Sequence, residues 1–356
     1  MSVRVSKPAF NLRSKLNELD RPVGAFGNQV LATENRYDAS KLIGGGRKNV
    51  LINGDFKISQ RGTYTSATAV TDDAYYLDRW KMRESGTAIT ITHNKDISIT
   101  EAGGDGIKTN SAKIDITSSA SGYWALRQIV EDYAAVSGQT VTFSCWVRGV
   151  GPKVFFRLWS IGNIGHGHAL TEDWQLYTET FSLPAFTQAA DSSNGCVITI
   201  GNYAEANVYN HTNDWCQIAL FQVEIGRSPT PFEFRTEAEE LALCQRYCVV
   251  YGDDDEVHLG IGAAYDNTNI NLTVSTPVTM RSQPAVSRVN NGSNVWLQSY
   301  KGATGQNSDA SVEVGEKVNN NIRVYCQTTG HSSLSTGDAL WCQVLPNAKL
   351  ILSAEM

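Results

Sequence analysis

Val141-Thr142-Phe143-Ser144-Cys145-Trp146-Val147-Arg148 sets the fold class of this chain. Side chains along an extended strand alternate between its two faces, so Val141, Phe143, Cys145 and Val147 share one side. Trp146 and Arg148 share the other. The run from Lys153 to Trp159 repeats the pattern, with Val154, Phe156 and Leu158 on one side and Phe155, Arg157 and Trp159 opposite. Period-two alternation of this kind marks strands with one face in a core.

The same period extends outward in both directions. Ile89-Thr90-Ile91-Thr92 and Ile97-Ser98-Ile99-Thr100 alternate apolar and hydroxyl residues, and Ala112, Ile114 and Ile116 share a face. Further strands are expected at 175–183, 196–201 and 216–225. Gly103-Gly104-Asp105-Gly106 has no strand-then-helix setting for a phosphate loop and is expected to be a hairpin turn. Short strands separated by Gly, Asn and Ser predict an antiparallel β-sandwich (jelly roll) over 47–235. Pro229 and Pro231 close that block. Thr236 followed by Glu239 is a capping-box signature. It predicts a short connecting helix over 236–248 with Leu241, Cys244 and Cys248 as its apolar stripe. From 249 to 356 strands return at 270–274, 322–326, 339–344 and 349–356, enough for a second, small β-sandwich. The fold class expected is therefore mainly β.

Residues 1–46 read differently. Leu12, Leu16 and Leu19 lie at i, i+4, i+7, a short amphipathic turn-and-a-half closed by Arg21-Pro22. So short a helix is marginal alone and needs a surface to lie on. Gly44-Gly45-Gly46 is expected to be a hinge after this extended arm.

The 356 residues are 41% hydrophobic and only 19% charged, so the polar surface is built largely from Ser, Thr, Asn and Gly. Lys and Arg number 30 against 36 Asp and Glu, a net −6 that argues against a nucleic-acid binder with a basic surface. The charge is uneven: residues 1–48 carry nine basic and four acidic side chains, a net +5, which leaves −11 on the rest. No stretch approaches the ~18 consecutive apolar residues that span a bilayer, so no membrane insertion is expected. The N-terminal residues contain no apolar run of signal-peptide length, and synthesis in a cytosol is expected. The seven cysteines (145, 196, 216, 244, 248, 326 and 342) fit no disulfide framework and read as reduced core residues.

Three stretches resemble a group of bacteriophage virion proteins. The first is Ser6-Lys7-Pro8-Ala9-Phe10-Asn11-Leu12 with Leu16-Asn17-Glu18-Leu19-Asp20-Arg21-Pro22-Val23-Gly24. The second is Asn49-Val50-Leu51-Ile52-Asn53-Gly54-Asp55-Phe56 with Ser59-Gln60-Arg61-Gly62 and Leu77-Asp78-Arg79-Trp80. The third is Gln222-Val223-Glu224-Ile225-Gly226, Thr230-Pro231-Phe232-Glu233-Phe234-Arg235 and Leu243-Cys244-Gln245-Arg246-Tyr247. The second and third are similar to phage head-fibre, tail-fibre or capsid-decoration proteins that carry a jelly roll of the carbohydrate-binding-module kind. The first is similar to the segment by which such fibres attach to the particle. The resemblance implies a non-enzymatic homotrimer in the virion, made in the host bacterial cytoplasm. Residues 1–46 would dock on a capsid or tail protein through Phe10, Leu12, Arg13, Leu16, Leu19 and Arg21, and the β domains would meet host-surface glycans. Alternatives are a tail-fibre receptor-binding protein with glycan depolymerase activity and a purely mechanical capsid cement.

Sugars bind where aromatic faces stack on pyranose C–H groups and charged or amide groups fix the hydroxyls. Trp146, Arg148, Arg157 and Trp159 are the candidates, each opposite an expected core stripe; the competing expectation is that both faces are covered. Asp55 matches a motif that opens many carbohydrate-binding jelly rolls, some with a structural calcium. No full set of oxygen ligands can be named for it, so a turn role is expected. His166-Gly167-His168 supplies two possible metal ligands and no third. Asp253-Asp254-Asp255-Glu256 reads as a solvated turn. No G-x-S-x-G, P-loop, H-E-x-x-H or paired C-x-x-C motif occurs.

Overall fold

The computed structural model describes residues 48–99, 106–151, 153–158, 163–185, 196–202, 209–302, 304–327 and 334–355. The expected N-terminal arm, with Phe10, Leu12, Arg13, Leu16, Leu19 and Arg21, lies outside the described residues, as does Trp159. Residues 49–356 form one compact unit.

The jelly roll is two antiparallel sheets packed face to face. One has six strands in the order Thr68–Ala69, Ile89–Ile99, Ile107–Ile116, Trp215–Ile225, Thr140–Val150 and Gln175–Ser182. The other has five, in the order Lys81–Ser85, Tyr123–Val130, Cys196–Gly201, Phe155–Leu158 and Asn163–Ile164. Val141, Phe143, Cys145 and Val147 of the first sheet meet Phe156 and Leu158 of the second in one core. Phe143 lies edge-on to Phe156 at 5.8 Å, and Trp80 stacks on Phe221 at 5.5 Å. The alternation at 141–148 and 153–158 thus has its expected cause.

Two local departures have physical reasons. The runs at 89–92 and 97–100 are parts of a single strand, Ile89–Ile99, whose register shifts between Asn94 and Ile97 where Asp96 takes a positive φ of 53°. Its hairpin partner is Ile107–Ile116; the turn residues Gly103 to Asp105 lie outside the described residues. The Tyr123–Val130 strand shows no alternation because both of its faces are buried: Trp124, Leu126 and Val130 enter the core, while Ala125 and Ile129 are covered on the other side.

The helix spans Glu237–Gln245, and both halves of the Thr236–Glu239 capping box are present. Its buried side chains are Glu240 and Cys244 rather than the Leu241, Cys244 and Cys248 expected; Cys248 begins the next strand. Glu240 is buried because it accepts from the Asn53 backbone N–H at 2.5 Å and pairs with Arg235 at 3.2 Å.

The C-terminal part is a second sandwich. A three-stranded sheet (Cys248–Tyr251, Lys349–Ser353, Ala285–Val289) and a seven-stranded one enclose Trp296, Leu297, Ile322, Val324, Leu340 and Leu350. All seven cysteines are buried free thiols. Among the described residues no helix is long and apolar enough to cross a membrane.

The second and third family-like stretches meet where the two sandwiches join. Arg79 is 1% exposed, takes a φ of 70°, ion-pairs with Glu355, donates to the Ile129 carbonyl at 2.6 Å and lies 3.5 Å over the Tyr247 ring. Arg61 reaches Glu355 at 3.4 Å and Asp78 at 3.9 Å. Gln60 donates to Asp78 and to the Cys248 carbonyl. Arg246 and the Tyr247 hydroxyl both bond Glu131, at 2.6 and 2.5 Å. Asn53, at a φ of 58°, donates to the Ile58 and Asp78 carbonyls and accepts from the Ile58 N–H. A Cβ on Gly54 would stand 2.2 Å from the Phe221 carbonyl oxygen, so only glycine fits there.

Candidate functional site

The outward face of the six-stranded sheet is covered at one end and open at the other. At the covered end Gln222 and Glu224 point away from the core and are buried by the segment that follows their strand. Glu224 accepts from the Thr230 N–H and hydroxyl, both at 2.7 Å, and Gln222 accepts from the Glu233 N–H at 2.9 Å. Midway, Ile99, Ala219 and Leu220 form a small apolar cluster with Ile97, Ile107, Trp146, Trp174 and Phe232 packed on it.

Beyond that cluster lies a groove of about 670 Å³ lined by Thr65, His93, Asn94, Lys95, Ile97, Lys113, Arg148, Glu172, Trp215 and Gln217. Strand register builds it. Thr92 pairs with Lys113, Lys113 with Gln217, and Gln217 with Arg148, so four outward side chains stand in a row across four strands. Trp215 is one step along, opposite Asp115 and Val150.

Arg148 is the centre of the row. Its guanidinium carbon is 4.9 Å from the Trp174 ring centroid and 5.7 Å from that of Trp215. Its Nε donates to Gln217 Oε1 at 2.9 Å, and Gln217 Nε2 donates in turn to Ser111 Oγ at 2.7 Å. Among the described residues no carboxylate is within ion-pair distance of Arg148. Lys113 lies 5.3 Å from the Trp215 ring and pairs with Asp115 at 2.5 Å. Burial, reinforced by the Lys95 charge, holds the His93 imidazole below its ordinary value and hence neutral at pH 7. Indole faces, a fork-shaped cation and a fixed amide on one open surface are the groups that stack on and hydrogen-bond a saccharide.

Of the expected sugar-site residues, Trp146 and Arg148 lie on one face and Arg157 on another, while Trp159 lies outside the described residues. Trp146 and Arg148 share the outward face of the six-stranded sheet, with Trp146 in the apolar cluster that bounds the groove. Arg157 belongs to the outward face of the opposite sheet, in register with Thr199 and, through it, Arg127. Phe156 and Leu158 on either side of it fill the core between the sheets. The sequence reading missed Trp215, Trp174, Lys113 and Gln217. The signal available for Trp215 and Gln217 was their outward parity in the 215–225 strand, opposite Cys216 and Ile218.

The remaining candidates resolve into structural roles. Asp55 pairs with Lys57 at 2.8 Å. His168 bridges the Val154 backbone, stacks on Tyr177 at 4.5 Å and, like His166, faces Glu179, at 3.8 and 3.1 Å respectively. Among the described residues no group of three or more His, Cys, Asp or Glu is placed to hold a metal ion. Asp253 to Glu256 are exposed, and Asp253 pairs with Lys349 at 3.0 Å.

A second aromatic surface lies on the seven-stranded sheet. Tyr300, Trp341 and Ile261 stand in register across three strands, Trp341 is 40% and Ile261 75% exposed, and His258 is 4.4 Å from Trp341.

No family model matches this chain, and no curated protein does. Among solved structures it is similar to the enzymatically active domain of tailspike protein 4 of bacteriophage CBA120. That match has 12% identity and a TM-score of 0.32, and covers 50% of this chain and 21% of that one. It is also similar to TmCBM61, solved with β-1,4-galactotriose (13% identity, TM-score 0.30, 51% of this chain and 100% of that one). A third is the family 11 carbohydrate-binding module of a cellulosomal cellulase of Clostridium thermocellum (12% identity, TM-score 0.24, 47% and 98%). With identities below 25% and TM-scores below 0.5, these likenesses assign no function.

Proposed function

We propose that residues 49–356 are the saccharide-binding body of a phage head- or tail-fibre or decoration protein, a homotrimer attached to the virion by residues 1–46. The observation that carries the binding role is Arg148 in the groove, beside Trp215 and beside Trp174 of the adjoining cluster, with Gln217 fixing its Nε. The virion role rests on the three family-like stretches and on the contrast between a basic arm and an acidic body. Docking of a +5 segment is steered by charge and strengthened by burying Phe10, Leu12, Leu16 and Leu19.

The binding role is tested by affinity electrophoresis of the whole chain through gels containing bacterial surface polysaccharide. Wild type is expected to be retarded and Trp215→Ala to run as in a plain gel. Wild type that migrates identically in both gels would overturn the role. For attachment, protein lacking residues 1–46 is expected to stay folded and trimeric in light scattering yet be absent from purified particles. Incorporation at the wild-type level would overturn the anchor.

A further inference from the structure

We infer that the groove selects anionic saccharides, those bearing a carboxylate or a sulfate; this rests on the saccharide-binding reading above. The groove lining carries Lys95, Lys113 and Arg148 against Glu172, a local excess of positive charge on a body that carries −11. Lys113 is already paired with Asp115. Arg148 and Lys95 have no ion pair among the described residues.

Arg148 is the sharper case. It is half-buried between two indoles, where a charge loses hydration and its interactions with other charges strengthen. Three other arginines drawn in from solvent, Arg79, Arg61 and Arg235, each have a carboxylate within 4.0 Å. Gln217 takes only Nε of Arg148, so the two terminal nitrogens remain for a ligand. Two parallel N–H donors match the two oxygens of a carboxylate or sulfate. A neutral sugar would stack on Trp215 and leave this cation without a counter-charge, whereas an acidic one satisfies both.

The test is a glycan array of uronic-acid, sialylated and sulfated glycans printed beside the carboxyl-reduced and desulfated forms of the same backbones. It is probed with the intact wild-type chain, Arg148→Gln, Lys95→Gln and Trp215→Ala, each checked for an unchanged melting transition. Wild type is expected to bind acidic members at least about tenfold more tightly than their neutral counterparts, equivalent to 1.4 kcal/mol. Arg148→Gln should abolish that preference, Lys95→Gln reduce it, and Trp215→Ala weaken binding to every member. Carboxylated and sulfated sets identify which anion is read; preference for either supports the inference. Equal binding of acidic and neutral pairs, still dependent on Trp215, would overturn the anion preference and leave the saccharide role standing. No binding to any member by folded wild type would overturn both.

Discussion

Arg79 and Arg148 sit against aromatic rings in the same compact unit, and their surroundings differ in burial and in counter-charge. Arg79 is buried over Tyr247 with Glu355 as its counter-charge and the Ile129 carbonyl as a second acceptor. Arg148 is half-buried beside Trp174 and Trp215, with a neutral amide as its hydrogen-bond partner. A buried charge costs several kcal/mol of solvation that only a good partner returns. The first site is closed and satisfied, which is the signature of a joint. The second keeps its donors on an open surface, which is the signature of a place for a ligand.

Breaking the joint should have the largest effect. Arg79→Met strips the nearly buried Glu355 of its closest cation and is expected to cost about 3–5 kcal/mol in urea denaturation. Adding Glu355→Gln should recover part of that loss. A single Arg79→Met that unfolds like wild type would remove the contrast between the two arginines. Asn53→Ala comes next. It leaves the Ile58 and Asp78 carbonyls and the Ile58 N–H without their side-chain partner, at about 2–3 kcal/mol by the same measurement.

These joint residues were visible in the sequence only as short family-like stretches, without their purpose. Leu77-Asp78-Arg79-Trp80 contains two charges and no apolar alternation, yet all four are buried: Asp78 is held by Gln60, Trp80 stacks on Phe221, and Arg79 takes its partners from residues 247 and 355. Local pattern cannot show a counter-charge 276 residues away. What it showed well was the sandwich itself, since Val141, Phe143, Cys145 and Val147 all enter the core as their parity requires, and the helix start at Thr236, since a capping box is local. The groove was half legible. Arg148 was found by parity, and Arg157 by the same rule, although it serves the other sheet. Nothing in parity tells which sheet a strand joins. Gln217 is 69 residues from Arg148 and becomes its neighbour only through strand register.

At the open site the effect on stability should be small. Arg148→Gln gives up its cation–π contacts and is expected to shift unfolding by less than about 1 kcal/mol, while lowering affinity for acidic saccharides about tenfold or more. A large loss of stability would place Arg148 with Arg79 as a structural residue.

The smallest effect concerns pH. Burial holds the His168 imidazole below its ordinary value, so the folded chain resists protonation there while the unfolded chain accepts a proton near pH 6.5. The folded pKa is the lower one, so this contribution is complete above pH 6.5 and is lost as pH falls through the folded value. Wild type should therefore melt progressively lower between pH 7 and pH 5, and His168→Phe, which keeps a ring against Tyr177, should melt with a shallower slope. Equal slopes would show that His168 does not carry this dependence.

Hydrogen exchange with and without a bound acidic oligosaccharide tests the central claim most directly. We expect added protection in Ile107–Ile116, Thr140–Val150 and the start of Trp215–Ile225, with none on the Leu297–Lys301 and Ala339–Val344 strands that carry Tyr300 and Trp341. Protection confined to those C-terminal strands would contradict it and move the site to the other sandwich.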